Sequence, residues 1–283
     1  MRPFPDATGQ RRRAGRVAVL VGSVAALAAT ALFPLDASGS STPTPPSWLD
    51  LVSQMGQIAN SQSGTEAALL TVDAAIRNGL NGTTAGYVYD LASDVAQLSL
   101  DLRDLIRNSV QLTKQVTAAN AMSQVAITAW NKEYTAYRKW YADIQMPGAC
   151  SSSTSPCARE GKTVEMTWTT ALSSASTGAY REYGLAISTL DEVATDATEV
   201  LLGARAITGD AKDYPGNKEF EAAVQVIGEH RVATFIGKLV TKATGVRSAL
   251  QAQETRMGRA NSTGRVMAGL VGVGYPGKPP PPL

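Results

Sequence analysis

The sequence is poor in the side chains that do chemistry. It holds one histidine and two cysteines among 283 residues, and aromatic residues make up only 6%. A His/Cys zinc site needs about four such ligands, and Ser-His-Asp or Cys-His catalysis would have to use the single His230. Charge of one sign is lacking too, with 26 Lys+Arg against 24 Asp+Glu. That balance excludes a strongly basic nucleic-acid binder and an acidic disordered chain. No Walker loop, G-x-G-x-x-G, EF-hand loop or G-x-S-x-G elbow occurs in the sequence. The residues name no activity, no cofactor and no specific small-molecule ligand.

One long apolar run is present. Arg2, Arg11, Arg12, Arg13 and Arg16 precede the uncharged Val17–Leu35, and Ala37-Ser38-Gly39 comes after it. A basic start, an apolar middle and small residues near a cleavage point make a secretory signal, here residues 1–39. The alternative is an uncleaved anchor formed by Val17–Leu35, which is long enough to span a bilayer. Residues 1–39 hold five Arg and two Asp, so the remainder carries 21 basic against 22 acidic residues, a net charge of −1. The basic excess belongs to the export segment, and the rest has no bias toward phosphate backbones. The expected location is the periplasm, the cell surface or the extracellular space.

Cys150 and Cys157 enclose a polar, turn-forming hexapeptide. In an oxidising compartment this spacing suits a local disulfide staple, and it lacks the C-x-x-C geometry of a redox pair.

Beyond residues 40–46, a Pro/Ser/Thr linker, helical periodicity dominates the chain. Ser47 is a suitable N-cap for a helix with Trp48, Leu51, Val52, Met55 and Ile58 on one face. A second run begins after Ser63-Gly64 and stops at Asn78-Gly79. Then Leu91, Val95, Leu98, Leu102, Leu105, Ser109, Leu112, Val116 and Ala119 alternate spacings of four and three, the seam of a helix packed lengthwise on another. With no Gly or Pro between Tyr87 and Met146, one helix of about 90 Å can run the whole way, a break near Thr117–Ser123 being the expected interruption. Farther on, Trp130, Tyr134, Tyr137 and Tyr141 share a helical stripe, with Trp140 beside it. The stripe reads either as a partner-binding face or as core with hydroxyls at its edge, and helical spacing favours core.

After the cysteine loop, Val164, Trp168, Ala171 and Ala175 lie on one side of a helix. Gly178 and Gly184 weaken the next stretch, and Thr189-Leu190-Asp191-Glu192 reads as a capping box that opens a new helix. Gly209–Asn217 is a loop. A last helix over about Lys218–Ala260 contains Gly228, Gly237 and Gly245 in its interior, and residues 261–283 read as a disordered Gly/Pro tail. No period-two alternation marks a strand. The expectation is an all-α fold over residues 47–260: an elongated bundle of three long helices with a smaller helical appendage.

The acidic rows Asp90/Asp94, Asp101/Asp104 and Glu192/Asp196/Glu199 lack the E-x-x-H pairs of bundle metal sites and read as solvated faces. His230, between Glu229 and Arg231, reads as a solvated or ion-paired helix residue.

The order of parts resembles a known family. A signal segment precedes the helix Trp48-Leu-Asp-Leu-Val-Ser-Gln-Met-Gly-Gln-Ile-Ala-Asn60. A heptad helix, a variable middle and the Ala/Gln-rich Glu221–Gln253 with Val-Arg-Ser-Ala-Leu-Gln-Ala-Gln come next in the chain. This architecture is similar to that of TrbJ-type conjugal transfer proteins, minor-pilin-like parts of type IV secretion systems, over roughly residues 48–260. The resemblance implies a three-helix bundle with an appendage and a non-enzymatic assembly or adhesion role in mating-pair formation, and it carries over no functional residue. The partners it implies are other envelope proteins, and the seam Leu91, Val95, Leu98, Leu102 and Leu105 is a candidate for self-association. Nucleic acid is not an expected partner. A membrane-active helical protein, an exported enzyme and a periplasmic scaffold or binding module outside transfer are the alternatives.

Overall fold

In the computed structural model, residues 47–79, 86–213, 216 and 218–283 are described; the expected signal segment, its anchor alternative and the 40–46 linker lie outside them. The described part is all-α, with no strand. Its helices are α1 (Trp48–Asn60), α2 (Ser63–Gly79), α3 (Gly86–Ile144), α4 (Pro156–Thr167), α5 (Ser173–Asp213), α6 (Lys218–Ile227) and α7 (Glu229–Gly272). A π-helical turn, Trp168–Leu172, joins α4 to α5.

The bundle has four columns where the sequence suggested three. The rods α3, α4–α5 and α7 pack on one another, and the α1–α2 pair fills the fourth position. α1 starts from a capping box: the Ser47 hydroxyl accepts from the Asp50 backbone N–H at 3.2 Å, and the Asp50 carboxylate accepts from the Ser47 N–H at 3.0 Å. It then lies between α3 and α7 because glycines let it approach. A Cβ on Gly56 would stand 3.2 Å from Thr113 Oγ1, and one on Gly245 would stand 3.3 Å from Leu51 Cδ1. α2 packs on α3 and α6, and Arg103 of α3 donates to Glu66 of α2 at 2.8 Å.

α3 is unbroken over its 59 residues, about 88 Å of helix at 1.5 Å per residue. The expected break at Thr117–Ser123 is absent. The seam does not fade there but continues in the same alternation: Ala119 is followed by Ser123, Ala126, Trp130, Glu133, Tyr137 and Trp140, each at most 4% exposed. Small residues at 119, 123 and 126 bring α5 close, and Met122 Sδ would lie only 2.9 Å from a Cβ at Gly178.

α4 begins inside the cysteine loop, earlier than the periodicity suggested. Pro156 opens it, and the Ser155 hydroxyl caps it by accepting from the Ala158 N–H at 3.2 Å. The Cys150–Cys157 disulfide, with Cα atoms 5.2 Å apart, ties the loop to this first turn, where Cys157 is fully buried.

Two corrections concern α5. Gly178 and Gly184 do not interrupt it, and Thr189 does not cap a new helix but is a buried position within a helix already formed. The propensity loss of up to about 1 kcal/mol per helical glycine is outweighed by close contact with α3 and α7. The inward face also differs from the expected one. Val164 is buried, but Trp168, Ala171 and Ala175 are half-buried, and Leu172, Ser176 and Ala179 take the core positions instead. The π-turn is the reason. Cys157, Gly161 and Val164 set one seam phase, Leu172 onward sets another shifted by one residue, and the wider turn absorbs the extra residue.

The expected single helix over Lys218–Ala260 is divided at Gly228, whose φ of +49° places it in the left-handed region. The helix also passes Ala260. Residues 261–272 are its last turns, with Met267 and Ala268 buried, so they are not part of a disordered tail. At Gly274, with φ +65°, the chain turns back. Tyr137 then donates its phenol hydrogen to the Gly277 carbonyl at 2.7 Å, and Leu283 packs against the core.

Candidate functional site

Glu133 is the charged residue that stands on the α3 seam, and it is 0% exposed. Neither carboxyl oxygen has a hydrogen-bond partner. The layer around it is completed from the other two rods. Gly264 of α7 and Leu172 of the π-turn both occupy seam positions of their own helices, with Trp168 alongside. A Cβ on Gly264 would come within 3.1 Å of Glu133 Oε2 and of Trp168 Cε3, and closer still to Leu172 Cδ2. Gly264 therefore makes the room that the carboxyl group fills.

Hydroxyl side chains in and just after the π-turn satisfy nearby carbonyls. Thr169 donates to Glu165 O at 2.9 Å, Thr170 to Met166 O at 2.7 Å and Ser176 to Leu172 O at 2.6 Å. Such back-bonding loosens the regular helical ladder and suits a wider turn. Above the layer, the Trp130 indole N–H donates to Thr263 Oγ1 at 3.0 Å, and its ring stacks on Tyr134 with centroids 4.6 Å apart.

Burial pushes the Glu133 carboxyl up to about 8. Desolvation disfavours the charged form, and no hydrogen bond or cation offsets it. At neutral pH the group is mostly the neutral acid, which can sit in an apolar layer at far lower cost than a carboxylate. Closed over on all sides, it reaches no substrate.

We expect Gly264→Ala to destabilise the protein by about 1–2 kcal/mol in thermal or denaturant unfolding, because overpacking outweighs the helix-propensity gain of up to about 1 kcal/mol. A stabilised variant would mean that the layer has free space.

A second feature is an open acidic groove of about 520 Å³ between α3 and α5, lined by Asp104, Arg107, Asn108, Asp191, Glu192 and Asp196. Asp196 accepts from Asn108 at 2.9 Å, Arg107 pairs with Asp104 at 3.0 Å, and Arg247 of α7 pairs with Asp191. Burial raises the Asp101, Asp196 and Glu199 carboxyls above the ordinary range, and neighbouring carboxylates add to it, Asp104 at Asp101, Asp104, Glu192 and Asp101 at Asp196, and Asp101, Asp196 and Asp104 at Glu199. Two rows that read as separate solvated faces are thus brought together across one groove. Among the described residues no three His, Cys, Asp or Glu side chains converge to hold a metal ion. Asp94 has a partner, and the side chain of Asp90 lies outside the described residues. His230 is exposed in the first turn of α7.

The aromatic stripe divides. Trp130 and Tyr137 are core, at 2% and 0% exposure, while Tyr134 and Tyr141 are half-buried at its edge. Trp140, read as lying beside the stripe, is core at 4%. The seam Leu91, Val95, Leu98, Leu102 and Leu105 is buried within the chain, with Leu98 against Gly203 of α5. Glu133 is missed in the sequence when the stripe is followed through Tyr134 and Tyr141. The alternation of four and three, carried on from Ala119, reaches it.

No helix among the described residues is long and apolar enough to cross a membrane. Compared with protein-family models, curated proteins and solved structures, the chain gives no match in any of the three.

Proposed function

We propose that this chain is an exported, non-catalytic helical component of an envelope assembly, and that the assembly is a conjugative transfer or type IV secretion apparatus. The observation that carries the reading is the seam of α3, buried without interruption from Leu91 to Trp140. A chain that commits its apolar residues to a rod of roughly 75 Å makes a stiff spacer between partners, the task of an assembly part. The Cys150–Cys157 bond is compatible with export, since disulfides persist in oxidising compartments. The order of helical segments supplies the link to mating-pair formation.

Deletion of the gene in its own host tests this. DNA-transfer frequency should fall at least tenfold and return with the wild-type copy, and the two thiols should resist alkylation in intact cells until a reductant is added. A photo-crosslinking residue at the exposed positions Val125 or Tyr180 should trap envelope proteins. Unchanged transfer with no envelope adduct would sink the proposal.

A further inference from the structure

The Glu133 layer combines three features. A carboxyl group occupies a heptad core position with both oxygens unpartnered. The facing position is a glycine that leaves room for that group and little else. The third rod meets the layer through a π-turn, where the seam changes phase by one residue. A π-turn holds one residue more than regular helix needs, so moving it along the rod exchanges which residues point inward. The face through Val164, Trp168, Ala171 and Ala175 is the continuation of the α4 phase, and the last three of those residues are half-buried rather than exposed. The segment thus carries a second, half-buried face next to the one that points inward, and the Glu133 layer lies where the two phases meet. A local switch requires a two-state element.

We propose that Glu133 is a proton-operated latch: protonated, it lets α3, the π-turn Trp168–Leu172 and the Gly264 stretch of α7 close on it; ionised, it draws in water and releases the π-turn. Packed cores offer an ionised carboxylate two outcomes, a partner or solvent, and this layer supplies no partner. On the elements packed here Lys132, Arg138 and Lys139 of α3, Arg159, Lys162 and Glu165 of α4, and Arg259 and Arg265 of α7 are exposed, while Asp143 of α3, Glu160 of α4 (paired with Lys139) and Arg256 of α7 are half-buried; the Tyr137 phenol, one turn along α3, donates to the Gly277 carbonyl. The carboxyl is raised by burial alone, to about 8, so none of these groups holds its charge in place. The latch does not depend on the assembly role.

Amide hydrogen exchange of the full chain between pH 5 and 9.5, corrected for intrinsic base catalysis, tests it. The opening of amides in residues 168–176 and 263–270 should rise roughly tenfold per pH unit up to about pH 8 and level off above it, because the open state sheds the proton that the closed state keeps. Amides around Leu98–Leu112, in the far half of α3, should not follow this slope. In Glu133→Gln the slope should vanish, with Glu133→Leu as a second variant of similar bulk and no titratable group. Infrared spectra should show a protonated-carboxyl carbonyl band in the wild type at pH 6 that both variants lack. The same slope in the variants, or a wild-type slope shared by every helix, overturns the proposal.

Discussion

Glu133→Gln is expected to stabilise the protein by about 4 kcal/mol at pH 8, and by less than about 1 kcal/mol at pH 5. The sign follows from proton binding. The folded carboxyl is raised to about 8 from an ordinary value of 4.5, so between those limits the folded state holds a proton that the unfolded state has lost. The stability tied to that proton is complete below about pH 4.5, falls as the pH climbs to 8 and loses little more beyond it. Glutamine resembles the protonated acid in shape and never ionises, so the variant keeps that stability at every pH. Urea unfolding at pH 5, 6.5 and 8 measures it. Wild type and variant should converge at the acid end and separate toward alkali. A constant offset would mean that Glu133 ionises in place with a partner. The variant will still lose some stability with rising pH, since Asp101, Asp196 and Glu199 are raised in the same direction.

Trp130→Ala is expected to cost about 3–5 kcal/mol, enough to lower the melting temperature by about 10 °C. The indole is 2% exposed, donates to Thr263 across the α3–α7 contact and stacks on Tyr134. Its removal opens a cavity between two rods and leaves the Thr263 hydroxyl without its indole donor. Tyr141→Ala, at the half-buried edge of the same stripe, should cost about 1 kcal/mol. Circular-dichroism melts of the two variants decide what the stripe is. A stable Trp130→Ala that loses only the capture of envelope proteins would make Trp130 a binding residue and place it outside the core.

Both effects come from the same helical register, and it was largely legible in the sequence. The alternation of spacings from Leu91 to Ala119 and the absence of Gly and Pro from Tyr87 to Met146 set the length and inward face of α3, because nothing within that stretch favours a break. The same arithmetic, carried forward, places Glu133 in the core. An eye drawn to aromatic residues follows Tyr134 and Tyr141 instead, one position off the seam. The N-cap Ser47 and the cysteine staple were legible as well, because caps and short loops are local.

The features that were not legible depend on a neighbouring helix. Gly178 and Gly184 read as weak points, yet each lies where another rod comes close, and contact energy there exceeds intrinsic propensity. Thr189 reads as a cap from its neighbours, and only the packing of α5 shows it to be interior. The paired acidic rows on α3 and α5 are far apart in the chain, so their mutual repulsion exists only once the rods are side by side.

The sequence by itself determined an all-α chain with a long heptad rod, a local disulfide and little catalytic material, because periodicity, missing breakers and residue counts act within a helix or a loop. The tertiary structure alone decided that four columns form, that the seam changes phase at the π-turn, and that Glu133, Leu172 and Gly264 share one layer. Those outcomes depend on which rods meet and at what height. The physics of burying a carboxyl group without a partner begins only when they do.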